Sequence, residues 1–132
     1  MIYASTFLRR ALLADAVFSG VSALGLASGA GAFASFFDLP EVLLRETGLF
    51  LVAYAALVGW LSTRASVPKA LVILIVVGNA AWTVASIALL FSGAVTPNLP
   101  GGIVVVAQAI ATGVFAELQY AGLRKSGSAV TT

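Results

Sequence analysis

The sequence predicts an all-α protein, a bundle of four transmembrane helices. The chain is 61% apolar and only 9% charged, and its mean hydropathy is +1.08. A soluble domain carries about 25% charged residues, because its surface must face water. So small a charged fraction indicates that lipid is the outer solvent. Four apolar stretches follow one another, each close to the roughly 20 residues that cross a bilayer. The length, 132 residues, is that of one domain.

The predicted helices are separated by ordinary breaks in the sequence. They cover residues 7–30, 40–63, 68–92 and 100–124. The second stretch is short, and Asp38-Leu39-Pro40-Glu41 predicts its start, with a capping Asp, a Pro at the first helical position and an acid on the helix dipole. Gly93 can end the third helix. Connections this short predict an up-down-up-down bundle of sequential neighbours. The polar tail from Ser126 to Thr132 is predicted to fray.

The N-terminal stretch has some features of a cleaved signal peptide. Arg9-Arg10 precedes an apolar run, and small residues follow it at Ala32–Ser35. However, Asp15 interrupts the apolar region. We therefore expect the first stretch to remain as a transmembrane helix.

The charge distribution predicts the orientation of the four helices. If the chain crosses the membrane four times, one side holds six basic residues, which are Arg9, Arg10, Arg64, Lys69, Arg124 and Lys125. The other side holds one basic residue and three acids, which are Arg45, Asp38, Glu41 and Glu46. The positive-inside rule then places both termini in the cytoplasm.

The composition also excludes several chemistries. The chain contains no Cys and no His, which removes thiol chemistry, imidazole metal ligands and Ser-His or Cys-His nucleophiles. The basic residues are scattered at helix ends, which is unlike a nucleic-acid-binding patch. We therefore expect no enzymatic activity, no metal, no cofactor and no nucleic-acid partner.

Two acidic residues are predicted to lie inside the membrane. Asp15 lies about 7.5 Å along the helix from Arg10, and Glu117 lies about 10 Å before Arg124. An acid at such a depth suggests a proton or cation relay, or a binding site for a cationic group. The alternative is a protonated carboxyl, or one that pairs with a basic residue and holds the bundle together. The candidate basic partners are Arg9, Arg10, Arg64 and Arg124.

Polar side chains form a stripe on two of the predicted helices. At about 100° per residue, Asp15, Ser19 and Ser22 share one face of the first helix, and Asn79 and Thr83 share one face of the third. Lipid offers no hydrogen bonds, so both stripes are predicted to face the interior. They act either as interhelical hydrogen bonds or as the lining of a polar cavity for a small ligand.

The fourth helix has polar or small residues on two opposite sides. Gln108, Thr112 and Gln119 lie along one side, and Gly113 and Glu117 lie roughly opposite. If the first side faces the bundle, the second requires its own partner, which is a second protomer, another protein or a lipid headgroup.

Small residues spaced for close helix contact occur in two helices. Gly25 and Gly29 form a GxxxG pair, and Ala109 and Gly113 form a small-xxx-small pair. The candidate residues for helix–helix contact are therefore Gly25, Gly29, Gln108, Ala109, Gly113 and Gln119.

Five short motifs resemble one group of proteins over nearly the whole chain. They are Asp15 with Ser19-Gly20, Asp38-Leu39-Pro40, Leu44-Arg45-Glu46-Thr47-Gly48, Gly78-Asn79-Ala80-Ala81-Trp82 and Phe115-Ala116-Glu117-Leu118-Gln119-Tyr120. With these motifs the chain resembles a family of small bacterial four-helix integral membrane proteins with no known activity. The resemblance implies a four-helix membrane fold in the bacterial inner membrane, and it implies no activity.

Three functions agree with these patterns. The first is a non-enzymatic accessory, assembly or structural subunit of a larger membrane complex, or a homo-oligomer. The second is a small proton-coupled transporter or channel, with Asp15, Asn79 and Glu117 along its path. The third is a binder of lipid, quinone or pigment, with aromatic side chains around a polar spot. The aromatic candidates are Trp82, Tyr54 and Phe18.

Overall fold

Four long helices make up almost all of the fold. The computed structural model describes residues 1–128. The helices are α1 (Thr6–Phe37), α2 (Glu41–Ser62), α3 (Lys69–Ser92) and α4 (Leu99–Arg124). Three two-residue strands accompany them, β1 (Ile2–Tyr3), β2 (Ser66–Val67) and β3 (Gly127–Ser128). Each helix is long and apolar enough to cross a membrane, so the prediction of a helical membrane protein with four such helices is confirmed.

The helix ends follow from local side-chain chemistry. The Ser5 side chain accepts a hydrogen bond from the backbone of Leu8 at the start of α1, and the Asn98 side chain accepts one from Gly101 at the start of α4. Both are N-caps that satisfy free helix donors. Gly93 ends α3 with a φ of 76°, as predicted, because glycine adopts the left-handed conformation without steric cost.

The junction between α1 and α2 differs from the prediction. α1 continues to Phe37 instead of ending at residue 30, and Asp38 ends it in the left-handed conformation, at φ 54° and ψ 49°. A short polar side chain tolerates this conformation, so Asp38 caps the C-terminus of α1 and not the N-terminus of α2. Pro40 is the residue before α2, which starts at Glu41.

The three short strands join distant parts of the chain at one end of the bundle, called here the sheet end. β1 lies between β2 and β3 and pairs antiparallel with both, Ile2 opposite Val67 and Tyr3 opposite Gly127. Both Ile2 and Val67 are buried. The segment predicted to fray is therefore ordered at Ser126, whose hydroxyl bonds to the Gly122 carbonyl, and in β3. The rest of that segment, residues 129–132, lies outside the described residues.

The helices differ in how closely their backbones approach one another. The closest backbone approaches are between α1 and α2, between α1 and α4, and between α3 and α4. α2 and α3 are consecutive, yet they meet through side chains such as Phe50 and Trp82, whose rings stack with centroids 6.1 Å apart. α1 is thus adjacent to α4, which sequence alone left open.

Glycines allow two of these close approaches. A Cβ built on Gly48 of α2 would lie 2.6 Å from the backbone nitrogen of Ala27 in α1. A Cβ on Gly122 of α4 would lie 2.6 Å from the Cα of Leu8, also in α1. Real Cβ atoms do not come this close to backbone, so these two glycines set the spacing of α2 and α4 on α1.

Candidate functional site

A buried carboxylate receives hydrogen bonds from all four helices at the centre of the bundle. Asp15 of α1 is 1% exposed. Its Oδ2 accepts from Tyr54 Oη of α2 at 2.6 Å, from Asn79 Nδ2 of α3 at 3.0 Å and from Gln119 Nε2 of α4 at 2.7 Å. Its Oδ1 accepts from Ser19 Oγ, one turn along α1, at 3.0 Å. We call these five residues the Asp15 cluster.

The members of the Asp15 cluster also hold one another. Asn79 Nδ2 lies 2.9 Å from Gln119 Oε1 as well as 3.0 Å from the carboxylate, so it bridges α1 and α4. Gln119 is 0% exposed, so bulk water does not reach its side chain. An ionised carboxylate only accepts hydrogen bonds, and the four groups around Asp15 can all donate. The cluster is therefore complementary to a carboxylate.

The Asp15 cluster needs no basic residue to complete it. Among residues 1–128 there is one ion pair, between Arg45 and Glu41, which are one turn apart on the surface of α2. The pairing of Asp15 with an arginine, one of the alternatives from the sequence, is not observed there. Within residues 1–127 every buried side-chain nitrogen and oxygen has a hydrogen-bond partner. The buried polar side chains of the described residues are therefore hydrogen-bonded within the chain.

A second polar layer joins α3 to α4. The Thr83 hydroxyl lies 2.7 Å from the Ala109 carbonyl and 2.8 Å from the Thr112 hydroxyl. Trp82 and Gln108, the residues preceding Thr83 and Ala109, are also bonded, since Trp82 Nε1 donates to Gln108 Oε1 at 2.7 Å. These residues are partly or fully buried. They act as interhelical hydrogen bonds, in agreement with the interior face predicted for Thr83, and they place Gln108 and Thr112 on the side of α4 that faces the bundle.

The remaining candidate residues lie elsewhere. Glu117 is exposed on α4, outside the Asp15 cluster, so the two intramembrane acids do not meet. Gly113 does not share an outward face with it, since a Cβ there would lie 3.3 Å from Thr83 Oγ1. Ser22 is half-buried on α1 and takes no part in the cluster.

The GxxxG pair contacts its own helix. The atoms nearest to a Cβ on Gly25 or Gly29 belong to the Phe33 ring of α1. Gly29 has φ −122° and ψ 22°, which kinks α1 and lets the ring fold back over both glycines. The glycines at contacts between helices include Gly48, Gly122 and Gly101, which lies against the Phe37 carbonyl of α1, and none of them is in a GxxxG pair.

Two contributions to the site were not apparent from the sequence. Tyr54 was considered only as an aromatic ligand contact, and its hydroxyl in fact makes the shortest bond to Asp15. Gln119 was considered a helix–helix contact without a partner. Hydropathy gives no sign of either role, because it does not say which faces of neighbouring helices meet. A Tyr deep in a predicted span was the available signal, since a buried hydroxyl requires a partner.

The fold and this site define a helical membrane protein whose polar groups join the helices to one another. Comparison of the chain with models of protein families, with curated proteins and with solved structures gave no match.

Proposed function

We propose that this protein is a non-enzymatic membrane subunit that binds a transmembrane helix through the outer face of α4, in a larger complex or in a homo-oligomer. The observation that supports this most is an exposed, regularly spaced stripe on α4 that ends in a carboxyl group with no partner in the described part of the chain. We call it the outer stripe. It consists of Ile103, Ala107, Ile110, Val114 and Glu117.

The closed interior directs attention to the outside of the bundle. The Asp15 cluster uses its donors and acceptors on residues of this chain, which favours a structural role for its hydrogen bonds. Each residue of the cluster is hydrogen-bonded within the chain, so the cluster can hold the helices together without a ligand. The protein's specific contacts are therefore expected on its surface.

The spacing of the outer stripe suits a partner helix. Its members are four, three, four and three residues apart, which is the heptad spacing of the seam between two packed helices. Ile110 is 61% exposed and Val114 is 45% exposed. An open groove of about 740 Å³ lies beside the stripe, between α3 and α4, and includes Leu90, Ile103 and Ile110 in its lining. The stripe and the groove together form a continuous apolar surface.

Glu117 supplies the reason for a specific partner. It is exposed on a helix that can cross a membrane, and it has no hydrogen-bond or ion-pair partner among residues 1–127. A carboxyl group facing hydrocarbon is costly, about 2.5–3.5 kcal/mol at the centre of a bilayer and less near an interface. A partner helix with a hydrogen-bond donor or a basic side chain would remove this cost, and would make the contact selective.

The proposal includes a location. The sheet end holds the six basic residues named above, and the opposite end holds Asp38, Glu41 and Glu46. The positive-inside rule supports an up-down-up-down bundle with both termini in the cytoplasm. The resemblance described under the sequence supports the bacterial inner membrane.

Site-specific crosslinking tests the outer stripe. A photoreactive amino acid replaces Val114 on α4 or, as a matched control, Val52 on α2, which is 48% exposed. We expect a discrete crosslinked product from position 114 only, either a dimer of this chain or one heterologous band identified by mass spectrometry. Glu117→Gln should weaken this product, whereas Glu46→Gln on the surface of α2 should not.

Two results would contradict the proposal. One is equal crosslinking from positions 114 and 52. The other is a strictly monomeric protein without a protein partner, observed by native mass spectrometry after purification in a mild detergent.

Proton-coupled transport is the second candidate, and one observation favours it. Asp15 is a buried carboxyl without a basic partner, and hydroxyl and amide groups from three other helices surround it. This function predicts proton flux in proteoliposomes that Asp15→Asn abolishes. The separation of Asp15 from Glu117 argues against transport, because Glu117 lies outside the Asp15 cluster and does not extend it into a chain of titratable groups.

A further inference from the structure

A second groove between α3 and α4 lies at the sheet end. Its volume is about 420 Å³, within the roughly 300–1,000 Å³ typical of small-molecule sites. Two cations lie at its rim, and apolar side chains line the rest. Its lining consists of Lys69, Ile73, Val76, Val77, Tyr120, Leu123 and Arg124. We call it the basic groove.

The cations of the basic groove are not neutralised by the described part of the chain. The ion pair found among residues 1–128 is between Arg45 and Glu41, and it involves neither Lys69 nor Arg124. The Arg124 guanidinium lies over the Tyr120 ring, 5.9 Å from its centroid. This contact holds the positive charge beside the groove.

Other basic side chains at the sheet end have partners elsewhere. Arg9 Nε donates to the Ser62 carbonyl at 3.2 Å. The Arg64 guanidinium lies over the Trp60 ring, 5.4 Å from its centroid. Neither lines the basic groove. Of these basic residues at the sheet end, Lys69 and Arg124 border the apolar groove, whereas Arg9 and Arg64 do not.

We propose that the basic groove binds one acidic phospholipid. The phosphate lies between Lys69 and Arg124, and an acyl chain lies along Ile73, Val76 and Leu123. Charge complementarity selects this occupant, because two cations on one groove match a net negative headgroup and the apolar side chains that line the rest of it match a hydrocarbon chain. Basic pockets between transmembrane helices bind anionic headgroups in this way.

The position of the groove agrees with this occupant. Lys69 is the first residue of α3 and Arg124 is the last residue of α4, so both lie where these helices leave the apolar region. Lys and Arg stems extend along apolar surface while their charges stay at the interface. Glu117 lies seven residues before Arg124, about 10 Å deeper along α4, below the level of the phosphate.

The two cations determine how much lipid binding is expected to weaken when they are removed. Each Lys or Arg near an anionic membrane surface contributes about 1 kcal/mol to binding, so removal of both, about 2 kcal/mol, is expected to weaken binding roughly 30-fold. A zwitterionic lipid has no net negative charge, so the two cations do not favour its binding to the same extent. We therefore expect selectivity for phosphatidylglycerol over phosphatidylcholine.

Native mass spectrometry of the delipidated full chain tests this site. The protein is titrated with phosphatidylglycerol or with phosphatidylcholine in detergent, and bound lipid is counted. We expect one retained phosphatidylglycerol per chain, and a loss of retention of roughly 30-fold in the Lys69→Gln/Arg124→Gln variant. The Arg10→Gln/Arg64→Gln variant is the matched control, because it removes the same charge from the same end outside the groove.

A second pair of variants tests the apolar part of the groove without any change in charge. Val77→Trp fills the groove and should reduce phosphatidylglycerol retention, whereas Val84→Trp, at an exposed position on the same helix outside the groove, should not. Both positions are exposed, so a larger side chain does not disturb the interior. Circular dichroism checks that each variant folds.

Three results would overturn the proposal. Equal retention of the two lipids would remove the charge argument. Equal losses in the two double variants would show diffuse attraction to the whole basic end. Displacement of phosphatidylglycerol by an equal concentration of glycerol phosphate would show that a phosphate alone is bound and that the groove contributes nothing.

Discussion

Replacement of Asp15 by alanine should destabilise the bundle strongly. The change removes the acceptor of three interhelical hydrogen bonds, from Tyr54, Asn79 and Gln119. Interhelical hydrogen bonds in membranes average about 0.6 kcal/mol and reach about 1.7 kcal/mol. Three of them give a loss of about 2 to 5 kcal/mol in the free energy of unfolding. Asp15 is 1% exposed, so bulk water does not replace the lost acceptor.

The free energy of unfolding can be measured by titration with a denaturing detergent in mixed micelles. Helix content reports the transition, and the matched control is Ser22→Ala, because Ser22 is half-buried on the same helix outside the cluster. We expect the control to change the free energy by less than about 0.5 kcal/mol. A double-mutant cycle with Tyr54→Phe then isolates one bond. The Tyr54→Phe change should cost less in the Asp15→Ala background than in the wild-type chain, with a coupling above about 0.5 kcal/mol.

The amide variant separates the structural role of Asp15 from transport. An asparagine oxygen can accept at the position of Oδ2, and its amide group can donate to the Ser19 hydroxyl. Asp15→Asn should therefore cost less than Asp15→Ala, whereas a proton carrier would lose its flux completely. If Asp15→Ala unfolds like the control, or if the Tyr54 and Asp15 changes are additive, the cluster does not hold the helices together and the structural interpretation fails.

Two further predictions concern helix contacts. Gly48→Ala should destabilise the protein by about 1–3 kcal/mol through overpacking, because the new Cβ would lie 2.6 Å from a backbone nitrogen of α1. The control is Gly78→Ala, where a Cβ meets nothing within 4 Å, and it should change the free energy of unfolding by less than about 1 kcal/mol. Similar values for both variants would contradict the close approach of α2 to α1. Gln108→Leu should remove the acceptor of the Trp82 indole N–H and shift the tryptophan emission to shorter wavelength in a Trp60→Phe background, so an unchanged spectrum would contradict this bond.

Hydropathy predicted the four helices because their lipid-facing side chains are as apolar as their buried ones. The same fact prevents it from predicting which faces meet. Leu24 of α1 is 71% exposed and Leu12 of the same helix is 0% exposed, yet nothing in their chemistry distinguishes them. In water the exposed one would tend to be polar, and in lipid it need not be. The order of the helices therefore could not be derived from apolar pattern alone.

Polar residues carried the information on packing that the apolar residues did not. Asp15 and Ser19 were predicted to share an inward face, since they are one turn apart, and Asn79 was predicted to face the interior from another helix. Their meeting could not be predicted, because it depends on the rotation of each helix about its own axis. Gln119 shows the same gap, since its spacing identified an inward side of α4 without identifying Asp15 as its partner.

The glycines show why a local motif is a weaker guide than a tertiary contact. Gly25 and Gly29 have the spacing that is typical of close helix pairs, but the kink at Gly29 lets Phe33 cover both. Gly48 and Gly122 have no such spacing, and each lies where another backbone approaches too closely for any side chain. A small residue is required wherever two backbones touch, and the place where they touch depends on all the helices together. In this bundle α1 lies against both α2 and α4, and these two helices supply the glycines at the contacts. α1 supplies the Asp15 carboxylate, which side chains from the other three helices surround.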